Sequence, residues 1–178
     1  LGYMAGRTLG NVNGATGYSG GSYGGLGGNN GGVANAVYGD FHNPNEMGSG
    51  GGPSGGGTGG GLIQISADTV TLDGTLRADG QSMGYPNYGA GSGGGVRLNI
   101  GTLSGIGKIS ADGGEGYWGG AGGGGRVAIY TWNAMAFASS NITAKGKTVG
   151  SAASSPGSVH ISTTPFFAWD RPSALLHG

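Results

Sequence analysis

Two short stretches that place aromatic residues between glycines are the strongest candidates for a binding surface. They read MGYPNYG at 83–89 and GEGYWGG at 114–120. Flat rings with small neighbours can stack on sugar rings or anchor a protein contact, and nearby polar groups can orient the ligand. The candidate ligand-binding residues are Tyr85, Asn87, Tyr88, Glu115, Tyr117 and Trp118. The alternative is that the rings fold back over neighbouring glycines as a local cover.

The acidic residues argue against catalysis, because most of them lie in turn-forming dipeptides. They are Asp40, Glu46, Asp68, Asp73, Asp79, Asp112 and Glu115. A glycosidase or a β-helix lyase needs two acids, or an acid and a base, in one groove. The chain also has no G-x-S-x-G nucleophile elbow with a partner at hand, and its glycine runs lack the lysine of a phosphate-binding loop. We therefore predict that the protein is not an enzyme and keep a polysaccharide-degrading β-helix enzyme as the third hypothesis.

Metal binding has little support in the sequence. The histidines His42, His160 and His177 are widely separated, there is no H-E-x-x-H, and there is no cysteine. Asp79 and Asp112 occupy equivalent repeat positions and could stack, which leaves calcium open. However, the order of the calcium-binding nonapeptide repeat is absent. Turn-forming aspartates are the simpler interpretation, and we predict no cofactor.

The composition limits both the fold and the partners. Of 178 residues, 48 are glycine and only 6 are proline, without the G-X-Y period of collagen. Charged residues make up only 9% of the chain, so charge repulsion does not favour an open, disordered chain. The formal net charge is zero and no basic patch is present, so nucleic acid is not an expected partner. No run of about 18 apolar residues is present, and we predict no membrane span.

Internal repetition predicts how the aromatic stretches are positioned. Three segments, 59–80, 93–113 and 123–146, each open on glycines, continue as an alternating strand, and add a second short strand. They close on Ala78, Ala111 and Ala144, at a constant spacing of about 33 residues. A fourth, partial copy lies at 157–162. A repeat of this length with strand periodicity is typical of a solenoid.

The glycine runs recur at the same phase of the repeat, which a linker has no reason to do. Glycine is required where backbones approach closely, and extended glycine chains can pack in the polyproline II conformation. We therefore predict packed glycine-rich coils, with a flexible tract as the alternative. The aromatic residues expected to cover the glycine layer are Tyr18, Tyr23, Tyr38 and Phe41.

These observations predict an all-β fold. It is a parallel β-helix-like solenoid with packed, polyproline-II-like glycine coils, and the alternative is an irregular β-sandwich. Residues 1–61 are predicted to be glycine-rich coils on the first β-coil, residues 62–162 the solenoid repeats, and residues 163–178 an aromatic cap or a linker to a next domain. Phe166, Phe167 and Trp169 are the candidate residues of that cap, or of an interface with another subunit or domain.

Two ordered phrases, GTLSGIGKISADGG and GGGGRVAIY, carry a resemblance to a known class of proteins. Over roughly residues 18–162 the chain resembles the glycine-rich repeat region of very large exported bacterial proteins, some of which carry RHS or other surface-protein modules. A looser resemblance, on composition and glycine-run spacing, is to glycine-rich fibre-tip domains of phages and bacteria. The resemblance implies an extracellular or cell-surface module with a structural or adhesive role, and it brings no catalytic residues.

The expected function is therefore a non-catalytic structural or adhesive module of a bacterial surface protein or fibre. A glycan-binding, lectin-like fibre tip is the alternative. The expected partner is a cell-surface glycan or a surface protein, and self-association, as a trimer by analogy with fibres, stays open. The chain begins at Leu1 without a signal peptide and is interpreted as a processed product or part of a longer chain.

Overall fold

The structure is a computed structural model that describes residues 1–53, 55–148 and 152–165. Apart from two short 3₁₀ turns, Leu9–Asn11 and Ser139–Asn141, its regular elements are strands. Their bounds are β1 Leu62–Thr71, β2 Thr75–Arg77, β3 Gly95–Ser104, β4 Lys108–Ser110, β5 Arg126–Ala136, β6 Ile142–Thr143 and β7 Ser158–Ser162. Phe166, Phe167 and Trp169, the candidate cap residues, lie outside the described residues.

The strands form a parallel β-solenoid of about 3 turns. A large sheet holds the order β1-β3-β5-β7, and a small sheet holds the order β2-β4-β6. Every pairing between neighbouring strands is parallel, so the predicted solenoid is confirmed and the β-sandwich alternative is wrong. Each of the three turns contributes one long strand to the large sheet and one short strand to the small sheet, and β7 adds a shorter fourth strand to the large sheet.

The strand register follows the repeat seen in the sequence. Leu62 pairs with Gly95 in the large sheet, and Thr75 pairs with Lys108 in the small sheet. Between β3 and β5 the register shifts after Ile100, because β5 carries one additional residue opposite Gly101. The extra residue forms a β-bulge, which bends the sheet locally.

Alternate residues of the strands form a hydrophobic core between the two sheets. The fully buried members from the second and third turns include Leu98, Ile100, Leu103, Ile109 and Ile129. Side chains of successive turns stack because parallel register places equivalent residues next to one another. The first turn is less buried, and its Ile63 and Ile65 pack on the core from the side.

The glycine-rich segments of the repeats form polyproline II helices. Amides of residues 120–125 donate in a fixed order to three neighbouring segments, at 2.7–3.1 Å. Gly120 and Gly123 donate to the carbonyls of Tyr18 and Gly21 in one segment. Ala121 and Gly124 donate to those of Ala152 and Ser155 in a second segment, and Gly122 and Gly125 donate to those of Gly114 and Ala111 in a third. Amides three residues apart thus point the same way, whereas in a β-strand the period is two. Three residues per turn is the geometry of polyproline II.

The segments that precede the first turn join the same layer. Gly48 donates to Gly60, Gly57 donates to Gly89, and Gly52 donates to Ser19, at 2.8–2.9 Å. The contacts agree with the packed coils predicted from the phase of the glycine runs. A Cβ at Gly122 would lie 1.9 Å from the carbonyl oxygen of Gly91, so the spacing between these helices requires glycine.

The four predicted cover residues differ in what they pack against. Tyr23 is fully buried, and its ring packs on that of Tyr38 with centroids 4.8 Å apart. Burial raises the pKa of Tyr23 to about 12 and also raises the pKa of Tyr38. Tyr18 is only partly covered and packs against Gly31. Phe41 was predicted incorrectly, because it lies 3.7 Å from His42 and near His160 of β7 instead.

Phe41 belongs to a strap, residues 38–47, that crosses the outer face of the large sheet. Side chains of two strands, β1 and β5, donate to its backbone. The contacts are Gln64 Nε2 to the carbonyl of Pro44 at 3.4 Å, Arg126 Nε and Nη2 to that of Tyr38 at 2.9 and 2.8 Å, and the Tyr130 hydroxyl to that of His42 at 2.6 Å. The strap thus joins the N-terminal segments to the sheet.

Acid is expected to weaken the strap. Its His42 ring lies 4.7 Å from that of His160, and burial together with His42 lowers the pKa of His160. Asp40, which pairs with His42 at 3.8 Å, and the charged Arg97 of β3 face the same region. Because the unfolded chain binds a proton at His160 more readily, stability should fall as pH drops below about 6.5.

The measurement is urea unfolding of the wild type and of His160→Gln at pH 7.5 and pH 5. We expect the free energy of unfolding to decrease less in the variant, because the titrating imidazole is gone. The carboxylates elsewhere are common to both chains and cancel in this comparison. An equal decrease in the two chains would contradict a contribution from His160.

Candidate functional site: the aromatic loops

The aromatic residues lie in two loops, 82–88 and 115–119, which follow the small-sheet strands of successive turns. We call them the aromatic loops. Backbone contacts hold them side by side: Met83 N donates to Glu115 O at 2.7 Å, and Tyr117 N donates to Met83 O at 3.2 Å. Glu115 N also donates to the Ser82 hydroxyl at 3.0 Å. The repeat brings the two sequence stretches together because equivalent positions stack in a solenoid.

Three of the four predicted aromatic residues present their rings to solvent. Tyr85 is 70% exposed, Tyr117 53% and Trp118 64%. The rings of Tyr117 and Trp118 stack with centroids 5.4 Å apart and an interplanar angle of 27°. Each ring of a stacked pair covers one face of the other, and an outer ring face that stays open can be covered by a sugar ring or by a partner's aliphatic side chain.

Tyr88 and Asn87 have local roles in the first loop. Tyr88 is half-buried, its ring lies 6.5 Å from that of Tyr85, and a Cβ added at Gly55 would meet it at 2.7 Å. The cover interpretation therefore describes Tyr88. Asn87 has φ 63°, a left-handed conformation that asparagine tolerates better than most residues, so it shapes the turn.

Contacts from distant segments fix the second loop. Asn30 donates from Nδ2 to the carbonyl of Trp118. Glu115 forms an ion pair with Lys147 of the next turn at 3.6 Å, and the pair is partly exposed. Neither Asn30 nor Lys147 was predicted as a site residue. Asn30 lies in a glycine-rich segment outside the three repeats, so the sequence repeat does not predict its contact with the second loop.

The aspartates that could have bound calcium or carried out catalysis are engaged in a structural ladder. Asp79 accepts the backbone N–H of Asp112, and Asp112 accepts that of Lys145, both at 2.8 Å. Asp79 also pairs with Arg77 at 2.7 Å. Each carboxylate thus caps the backbone of the next turn, which agrees with turn-forming aspartates. No group of three potential metal ligands occurs in residues 1–53, 55–148 and 152–165.

Comparison with known proteins finds no relative. The chain matches no family model, no curated protein and no solved structure. Within the described part of the chain, no helix is long and apolar enough to cross a membrane.

Proposed function

We propose that the protein is a non-catalytic, extracellular adhesive module that binds cell-surface glycans through its aromatic loops. The observation that carries the proposal is the exposed, stacked pair of Tyr117 and Trp118 beside Tyr85. Large apolar rings are normally buried when they serve packing alone, and an exposed cluster is typical of a contact surface.

The rigidity of the scaffold supports this function. The two aromatic loops are pinned to each other by backbone hydrogen bonds, and Asn30 ties the second loop to the glycine layer. Loops that are ordered before the ligand arrives lose less conformational entropy on binding. Polar groups of Glu115 and Lys147 lie beside the stacked rings and can form hydrogen bonds with sugar hydroxyls.

An adhesive role is favoured over an enzymatic one by the state of the carboxylates. Asp79 and Asp112 lie close together, but both hold backbone amides of the next turn and so are poorly placed to transfer protons. The resemblance to glycine-rich regions of exported bacterial proteins supports an extracellular location. The same resemblance supports a place within a larger surface protein or fibre.

The test is a glycan array probed with the wild type and with the double variant Tyr117→Ala/Trp118→Ala. Trp132→Ala is the matched control, since Trp132 is another partly exposed tryptophan, on β5 and outside the aromatic loops. We expect the double variant to lose at least about thirtyfold in affinity, because a hot-spot aromatic contributes about 2 kcal/mol or more. The control should bind as the wild type does.

Far-UV circular dichroism and urea unfolding of each variant establish that it is folded. A folded wild type that binds no glycan would overturn the glycan proposal. Equal binding by the double variant would place the site elsewhere on the molecule.

A further inference from the structure

The basic residues are concentrated on one face of the solenoid. The chain has 8 lysines and arginines. Four of them, including all three lysines, lie on the outer side of the small sheet or directly after it: Arg77, Lys108, Lys145 and Lys147. The same face also carries the carboxylates of Asp73, Asp79 and Asp112, so the role of each cation depends on whether it has a carboxylate partner.

Two of these four cations already have carboxylate partners, and two do not. Arg77 pairs with Asp79 at 2.7 Å, and Lys147 pairs with Glu115 at 3.6 Å. Lys108 and Lys145 form no ion pair with any described residue. Both ammonium groups are therefore available to an anion from outside.

Lys108 and Lys145 line the same cleft, which has a volume of about 390 Å³. Its walls also carry the hydroxyls of Thr75, Ser140 and Thr143 and the amide of Asn141. One carboxylate, that of Asp73, lies in the cleft as well, but it accepts the backbone N–H of Ile106 at 3.2 Å. The two ammonium groups of this cleft therefore face a single carboxylate, which is already engaged.

Thr143 supplies an independent indication of a ligand. The residue is only 8% exposed, and its hydroxyl is buried without a hydrogen-bond partner in the described part of the chain. A buried hydroxyl without a partner costs about 1–3 kcal/mol, so such groups are rare in native structures. The oxygen itself is closed to solvent, and a rotation of the side chain about χ1 would turn the hydroxyl toward an oxyanion held in the cleft.

We propose that this cleft binds a carboxylate or sulfate group between Lys108 and Lys145, with Thr143 in its wall. Charge-assisted hydrogen bonds from ammonium groups to oxyanions are about twice as strong as neutral ones. Lysine suits this role because its compact charge does not require a planar ligand. We call the cleft the anion cleft.

The position of the anion cleft identifies the source of the oxyanion as an acidic saccharide. A second cleft of about 330 Å³ shares Thr75 and Lys108 with it and continues along Arg77 and Ser82 to Lys147. Lys147 is the partner of Glu115 in the second aromatic loop. A polar surface therefore runs from the stacked rings to the anion cleft, and one saccharide chain can contact both. The saccharide part of this inference rests on the proposed function, whereas the anion cleft itself does not.

The anion cleft is tested first with inorganic sulfate as the probe. Two-dimensional NMR follows the amides of Lys108, Thr143 and Lys145 as sodium sulfate replaces sodium chloride at constant ionic strength. We expect saturable shifts of these amides in the wild type and a loss of about tenfold or more in affinity in Lys108→Gln/Lys145→Gln. Arg7→Gln, which removes an exposed cation far from the cleft, is the matched control and should keep the shifts. Shifts that do not saturate, or that persist in the double variant, overturn the site.

The source of the oxyanion is tested with oligogalacturonate against neutral xylo-oligosaccharides of equal length. We expect the wild type to prefer the acidic chain by about tenfold, and we expect the preference to disappear in Lys108→Gln/Lys145→Gln. Equal affinity for both chains overturns the acidic saccharide and leaves glycan binding by the aromatic loops intact. Binding of sulfate without binding of any oligosaccharide overturns the saccharide assignment for a different reason. In that case the aromatic loops fail as a glycan site, and the anion cleft takes a free oxyanion.

Discussion

Replacing Gly122 by alanine is expected to lower the free energy of unfolding by about 3 kcal/mol or more. The added Cβ would lie 1.9 Å from the carbonyl oxygen of Gly91 and 3.0 Å from the amide nitrogen of Gly114. Both neighbours are backbone atoms, so no flexible side chain can move aside. The helices must separate instead, which also stretches the hydrogen bond from Gly122 to Gly114 and the one from Gly114 to Gly91.

Gly74→Ala is the matched control for Gly122→Ala. A Cβ at Gly74 meets nothing within 4 Å, and the residue lies in the exposed turn between β1 and β2. Alanine there reduces the entropy of the unfolded chain, so a change of less than about 1 kcal/mol in either direction is expected. Urea unfolding of the wild type and both variants gives the three values. A Gly122→Ala chain as stable as the Gly74→Ala chain would show that the helices are not closely packed.

The repeat made the solenoid predictable from the sequence. The constant spacing of Ala78, Ala111 and Ala144 and the period-two strands before them indicated stacked turns, and the register of β2 with β4 follows that spacing. The glycine runs indicated close backbone approach because they recur at one phase of the repeat. Each of these signals lies within a short stretch of sequence and recurs in every repeat, so the evidence for the solenoid increases with the number of turns.

Other features could not be predicted, because they depend on contacts between segments with no shared pattern. The bulge opposite Gly101 needs one extra residue in β5. The spacing from Ala111 to Ala144 is the same as in the preceding repeat, so the sequence repeat does not reveal the extra residue. The strap that places Phe41 on the histidines is a single, non-repeating segment. Its position is set by hydrogen bonds from Arg126 and Tyr130 to backbone carbonyls, which carry no sequence signature.

The candidate site was partly predictable for the same reasons. The repeat phase correctly predicted that Tyr85 and Trp118 lie in neighbouring loops. It did not distinguish the exposed Tyr85 from Tyr88, which covers Gly55, because burial depends on an N-terminal loop outside the repeat. The anion cleft could not be predicted from the repeat, because Lys108 and Lys145 occupy different positions of successive turns and come together only at the small sheet.

Amides of the N-terminal glycine segments are expected to exchange with solvent at least about a thousandfold more slowly than unprotected amides. Gly21, Gly25, Gly48, Gly51 and Gly60 each donate a backbone hydrogen bond of 2.8–2.9 Å within the layer. These bonds join the layer to the turns of the solenoid, so we expect them to break only when the domain unfolds. Exchange through global unfolding is slowed by the full stability, about 5–15 kcal/mol for an ordinary domain.

Residue-resolved hydrogen exchange by NMR at pH 7 therefore tests the central claim most directly, which is that the glycine tract is a packed scaffold for the aromatic loops. The amides of residues 14–61 that donate within the layer should be protected to the level of buried β3, whereas exposed Gly84 should exchange freely as an internal reference. Exchange of the whole 14–61 segment at the rate of Gly84 would contradict the claim. The tract would then be a flexible linker beside a smaller solenoid.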